Sequence, residues 1–335
     1  MSLTTYGDIS PRTAAYAATE FLKRGQPHLI LEKFGSMQAL PANNSKVWKA
    51  RRYNALDSTP VSVAEGVTPS AKKITHDDVQ CTLVQFVDRV VITDVIMDTH
   101  EDPVLQQVIG VMGEQAAEMI EKARFNILKA GTNVVFPGTV TTRETTREPI
   151  DIGVQRKVIS ALKNQNARKI TNVVRSTPSY GTVNVAPSYV AVCHPNLQPD
   201  IEALTGFKPV EEYGTLSPYE SEIGKVGEVR YLTTTIAEPW LGAGATVDTG
   251  AGNTDVMRNA ANAADIYPIL YFARDAWAGI ALKGQFAVTP MVVNPKPSDS
   301  DPAAQRGHVA WKTMQGTVIT NDLWMVRAEV ACRNY

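Results

Sequence analysis

Recognisable chemistry is scarce in these 335 residues. There are three cysteines, Cys81, Cys193 and Cys332, an odd number at wide spacing with no Cys-x-x-Cys pair. That pattern suits neither a disulfide framework nor a zinc site, and a reducing cytoplasm is the expected place of synthesis. No GxSxG elbow and no HExxH helix occurs, so the serine- and zinc-hydrolase signatures are missing. No run of eighteen apolar residues occurs, and no basic start followed by an apolar run precedes the first predicted helix. The expectation is a chain with neither a signal peptide nor a membrane span. Excess charge is lacking too, with 33 Lys and Arg against 34 Asp and Glu. A protein whose main task is gripping nucleic acid needs clustered cations to release counterions, so that class is excluded, whereas near-neutrality lets copies approach one another. The remainder, 44% hydrophobic and 20% charged, is ordinary globular composition for one large or two average domains.

What the chain does have is length in two particular elements. Asp102 is a favoured N-cap, Pro103 suits the first helical position, and Gly131 follows the last periodic residue, with no proline between. The helix from Pro103 to Ala130 would be roughly 42 Å long at 1.5 Å per residue. Leu105, Val108, Met112, Met119, Ala123 and Ile127 recur along it at three- and four-residue steps, with Glu114, Glu118, Glu121 and Lys122 mainly opposite. Before it, Lys46 to Tyr53 and Val79 to Thr93 read as strands, and Val79, Cys81 and Leu83 alternate with Gln80, Thr82 and Val84 as a half-buried strand does. Asn54 to Asp78 between them is polar and small. A hairpin projecting so far needs partners on another chain to offset its ordering entropy.

Elsewhere, Ser10 and Pro11 start a helix that Gly25 stops after Arg24, with a thin stripe of Ala14, Ala17, Ala18, Phe21 and Leu22. A short apolar run spans Leu29 to Phe34. Beyond Gly131, Val134 to Val140 is β-like, and Val154, Val158 and Leu162 mark a second helix ending in the basic stretch Lys163 to Lys169. Strands follow at Tyr189 to Cys193, Val229 to Thr234 and Ile269 to Ala273, with a short helix near Asp200 to Leu204. The Gly-, Ala-, Asn- and Thr-rich stretch from Leu241 to Asn262 favours mobility over burial. Phe286 to Val293 and His308 to Ala331 read as strands around the loop Asn294 to Gly307 with its three prolines.

Groups that could carry chemistry are better read in structural roles. Asp94, Asp98, His100, Glu101 and Asp102 could ligate a metal or favour the start of the long helix. Gly242, Gly244, Gly250 and Gly252 do not form GxGxxG. His194 adjoins Cys193, but neighbours on a strand point to opposite faces. Trp48, Trp240, Trp277, Trp311 and Trp324 suit core or interface anchors. No catalytic, cofactor or metal site is assigned. On the hairpin, Lys49, Arg51, Arg52, Lys72 and Lys73 stand beside Asp57, Glu65, Asp77 and Asp78. These charges could touch DNA, keep an edge soluble, or pair with a neighbouring subunit, and the last two readings are preferred.

Longer strings carry a resemblance. TTYGDISPRTAAYAATEFLKRG, THEDPVLQ, NARKITNVVRSTPSYGT, YGTLSPYESEIGKVGEVRY, TPMVVNP and DPAAQRGHVAWKT closely resemble the major capsid proteins of tailed bacteriophages grouped with the N4-like phage coat protein, from about Thr4 to Cys332. The resemblance implies an α+β subunit of the Hong Kong phage capsid fold. It implies an N-terminal arm at 1–45, an extended hairpin at 46–98, a peripheral domain at 99–169 with a spine helix at 103–130, an axial domain at 170–284 and returning strands at 285–335. It further implies no enzymatic activity, and self-assembly as hexamers and pentamers into an icosahedral virion shell around non-specifically contacted double-stranded DNA. Assembly is expected in the bacterial cytoplasm. Scaffolding, portal and decoration proteins are the implied partners, the scaffold a separate chain because family-like sequence begins directly after Met1. No Lys-Asn crosslinking pair is matched. A cellular encapsulin-type compartment and an α/β enzyme are the alternative readings.

Overall fold

Period-two alternation becomes sheet in this chain, and three- and four-residue apolar spacing becomes helix. The computed structural model describes residues 29–43, 45–95, 104–174, 182–213, 218–247, 255–283, 288–295, 297 and 302–335. The predicted arm helix Pro11 to Arg24 and the cap Asp102-Pro103 lie outside them. In chain order the strands are β1 (Ser36–Leu40), β2 (Val47–Tyr53), β3 (His76–Thr82), β4 (Val84–Thr93), β5 (Val134–Val135), β6 (Ile170–Val174), β7 (Thr182–Cys193) and β8 (Phe207–Pro209). They continue as β9 (Glu222–Val226), β10 (Val229–Thr233), β11 (Ile266–Phe272), β12 (Trp277–Leu282), β13 (Thr289–Val293), β14 (Arg306–Ile319) and β15 (Met325–Ala331). The α-helices are α1 (Val104–Leu128), α2 (Ile152–Asn164) and α3 (Gln198–Glu202).

The larger sheet runs β5-β15-β11-β7-β10-β9-β8, with β6 on β7. Its central strands are apolar on both faces, so both must be covered. Tyr189, Ala191 and Cys193 face a core with Val154, Val158 and Leu162 of α2 and Ile201 of α3. Val190 and Val192 face another, with Phe125 and Leu128 at the end of α1, Leu31, Phe34 and Trp277. Asp151 caps α2 by accepting from Ile152 N at 2.7 Å and Gly153 N at 3.1 Å. Asp151→Ala should lower stability by about 1 kcal/mol, read as a reduced urea midpoint at unchanged slope.

The smaller sheet runs β1-β12-β14-β13, and β4 lies along the other edge of β14. Helix α1 crosses its face with Ile109, Met112, Ala116 and Ile120 against Ile92, Val309 and Trp311, then carries Phe125 and Leu128 into the larger sheet's core. Its 25 residues, about 37 Å, are thus needed to join two cores. The predicted stripe was displaced. Ile127 is exposed, while Glu121, expected on the polar side, is 2% exposed. The buried line runs through 109, 112, 116, 120, 124 and 128 because α1 meets two sheets in succession. Gly131 follows the helix beside Met325, its N donating to Leu128 O at 3.2 Å.

Other boundaries also moved. The predicted strand Val79 to Thr93 breaks at fully buried Leu83, so β3 pairs with β2 and β4 with β14. His76 to Asp78 belong to β3, which shortens the predicted loop. Residues 134–140 contribute only two strand residues. The stretch expected to be mobile from Leu241 is pinned where described. Val247 and Val256 are buried, and Gly244 N donates to Ala264 O at 2.9 Å. β1 and β12 were not anticipated as strands. β12 joins the smaller sheet, and β15 sits beside β11 in the larger, so the sheets do not divide at residue 284. No described helix is long and apolar enough to cross a membrane.

Candidate assembly surface

Antiparallel pairing of β2 with β3 sets Arg51 opposite Asp78, Arg52 opposite Asp77 and Tyr53 opposite His76. Two of these become charge pairs. Arg51 donates to Asp78 at 2.8 and 3.2 Å, and Arg52 to Asp77 at 3.4 Å. The Arg51 guanidinium holds the Asp78 carboxyl below the usual carboxylate range. Farther out, Lys72 Nζ donates to Asp57 O at 2.6 Å, and Thr59 hydrogen bonds lower the Asp57 pKa. Six of the nine charged residues expected to pair with a neighbour are therefore partnered inside their own hairpin. Lys49 lies opposite Gln80, and Lys49, Glu65 and Lys73 are exposed. Fully exposed pairs of this kind fix register more than they stabilise.

Among the described residues the hairpin is anchored at its root. Cys81 and Leu83 are buried with Leu40, Ala278 and Ile280, and Trp48 packs against them. Leu83 N donates to Lys46 O at 3.0 Å. Gly316 on β14 makes this seat, since a Cβ there would lie 2.6 Å from Cys81 Sγ. Beyond the root no described residue covers the loop. Tyr53, Leu56, Val61, Val63, Val67 and Ile74 are all exposed, Val61 by 64%. The sequence reading, intent on the polar residues, missed these apolar side chains.

A second open surface lies on the smaller sheet, on the face away from α1. Val87 and Val91 of β4 and Met291 and Val293 of β13 are exposed there, beside Arg89 and Lys312. The register puts Val91 and Val293 on either side of His308. The signal for it was present: residues 84–93 read VQFVDRVVIT, apolar on both faces, whereas a strand with one solvated face alternates. Unpartnered apolar surface on both hairpin and sheet marks a subunit built for contact with other chains.

The candidate chemical groups serve structure. His194 Nδ1 accepts from Asn196 N at 3.2 Å, capping a short turn, and burial lowers its pKa. Cys193 is buried, and burial pushes its thiol up to about 12. Asp94 accepts from Val95 N at 2.8 Å; Asp98, His100, Glu101 and Asp102 lie outside the described residues. Trp277 and Trp311 are core residues. Trp240 carries Lys129 and Arg143 at 3.9 and 3.6 Å from its ring centroid.

The sequence pattern of the phage capsid protein family matches residues 77–320, from β3 to the end of β14. This chain belongs to the phage capsid protein family. Solved capsids share its fold. The capsid of Ralstonia phage GP4 superimposes with a TM-score of 0.66 at 11% identity, covering 89% of this chain and 87% of that one. The cyanophage Pam1 capsid gives 0.63 at 11% identity over 93% of both chains. The head of Helicobacter pylori bacteriophage KHP40 gives 0.58 at 11% identity over 89% and 87%. No curated protein matches the sequence. At such identities these structures attest the fold, and the family match carries the function: a structural protein of the phage capsid. The expected α+β capsid architecture is present, and the encapsulin and enzyme readings give way to it.

Proposed function

We propose that this chain is the major subunit of an icosahedral phage head, closing as hexamers and pentamers around double-stranded DNA. The observation that carries the reading is a hairpin whose outer residues 54–75 are all exposed among the described residues, in a chain of the phage capsid family. Head-to-tail rings close by rotation, so each hairpin meets the next copy by the same contact. Lys49, Glu65 and Lys73, with the apolar loop side chains, are the residues proposed to touch the neighbour, while Arg51, Arg52, Asp57, Lys72, Asp77 and Asp78 stiffen the hairpin that presents them.

Residues 1–45 serve as the arm and 46–98 as the extended hairpin, with α1 as spine. Pairing of β12 with β14, and of β15 with β11, favours taking the smaller sheet with α1 as the peripheral domain and the larger as the axial domain. DNA is met through weak, non-specific contacts, in keeping with the near-zero net charge. A scaffolding protein guides closure in the host cytoplasm, and portal and decoration proteins complete the head. Native mass spectrometry of the purified chain at rising concentration should show five- and six-subunit species. A monomer at every concentration, with or without a scaffold, would overturn the reading.

A further inference from the structure

Where the buried face of α1 meets the turn before β1, two carboxyls gather around one guanidinium. Glu121 is 2% exposed and Arg124, one turn on, 3% exposed. A short 3-10 turn, Leu31–Lys33, lies across them. Leu31 N donates to Glu121 Oε1 at 3.0 Å. Arg124 donates to Glu32 Oε2 at 3.0 Å and to Gln315 Oε1 of β14 at 3.1 Å. Ile30, Leu31 and Phe34 meanwhile pack in the core that holds Phe125 and Leu128. This strap is the first described segment of the chain.

Count the charges that face Glu121. On its own helix stands Arg124; Lys122 pairs outward with Glu238 at 3.2 Å. On the turn packed over it stands Glu32, and Lys33 reaches away to Glu220 at 2.6 Å. The strand behind, β14, presents uncharged Gln315, bonded to Thr313 at 2.9 Å. Two carboxyls therefore share one guanidinium, and Glu32, only partly buried, already occupies it. Among the described residues, a second negative charge in this enclosed place has no cation of its own.

We propose that Glu121 makes docking of the residue 30–34 strap on α1 depend on protonation, with the strap held most firmly when this carboxyl is neutral and loosened when it is ionised. A neutral carboxyl still offers Oε1 to the Leu31 amide, so protonation keeps the bond and removes the uncompensated charge. Burial, the largest influence, with Glu32 adding to it, raises the Glu121 pKa from 4.5 to about 7 against the opposing pull of Arg124 and of the Leu31 and Glu32 amides. The closed strap thus binds a proton that the open one releases. Its advantage is greatest in acid, declines as pH rises toward about 7, and is gone above it. This inference does not depend on the shell geometry proposed above.

Hydrogen exchange of the full chain, followed by mass spectrometry on a peptide spanning residues 29–35, tests it. After correction for intrinsic exchange, protection of the Leu31 and Glu32 amides should fall by up to about tenfold per pH unit between pH 5 and 7, then level off. Glu121→Gln, which keeps the acceptor and cannot ionise, should give flat protection over the same range. Unchanged wild-type protection across that range overturns the proposal whether or not the variant folds. So does a Glu121→Gln profile that falls as the wild type does.

Discussion

Removing residues 55–74 and joining Asn54 to Thr75 through a short glycine turn leaves a folded subunit that no longer forms shells. Every residue from 54 to 75 is exposed, so no core contact is lost. Asn54 N already donates to Thr75 O at 3.0 Å, so the cut ends meet without strain. The ladder from Val47 to Tyr53 against His76 to Thr82 remains, with both charge pairs. A deletion extending to Asp78 would instead remove strand residues and the partners of Arg51 and Arg52. The shorter cut should change the urea midpoint little, since loop length enters closure entropy only logarithmically. It should abolish shells because Leu56, Val61, Val63, Val67 and Ile74, with Glu65 and Lys73, go with it. Shells at the undeleted yield would show that the loop is not an assembly element.

The second large effect is internal to the subunit. Glu329 of β15 is 1% exposed and takes Arg143 through two bonds of 2.7 and 2.8 Å and Arg327 Nε through one of 2.8 Å. Arg327 also donates to Gly131 O at 2.9 Å and to Lys129 O, which ties the end of α1 to the middle of the larger sheet. Glu329→Ala leaves two guanidinium groups without their anion and should destabilise the subunit by about 3–5 kcal/mol, as breaking a buried pair from one side does. Glu329→Gln keeps acceptor geometry for one arginine and should cost less. Urea titration of both variants measures the difference. A loss under about 1 kcal/mol for the alanine would mean that water or a side-chain shift replaces the carboxylate.

Much of this was readable before any coordinates. The alternation of Val79, Cys81 and Leu83 specified a strand with one buried face, and Val154, Val158 and Leu162 specified α2; all but half-buried Val79 are buried as read. What failed was long-range. Nothing local to Glu121 says that a turn ninety residues earlier in the chain will cover it. Cys81 and Leu83 seat against a glycine at 316, far along the chain, and β12 is a strand because β1 and β14 flank it. Ion pairing within the hairpin required the register, which sequence spacing alone does not fix. The open face of β4 was legible in principle, because VQFVDRVVIT is too apolar for a strand with one wet face. Attention to charge hid it, as it hid Leu56 and Val61.

The central claim is that copies of this chain close on one another. Electron microscopy of the purified protein, alone and with any scaffolding protein encoded beside it, tests that most directly. Closed shells, or rings of five and six, are the predicted result, with the shell diameter then giving the number of subunits. Uniform single-subunit particles under both conditions would contradict the account.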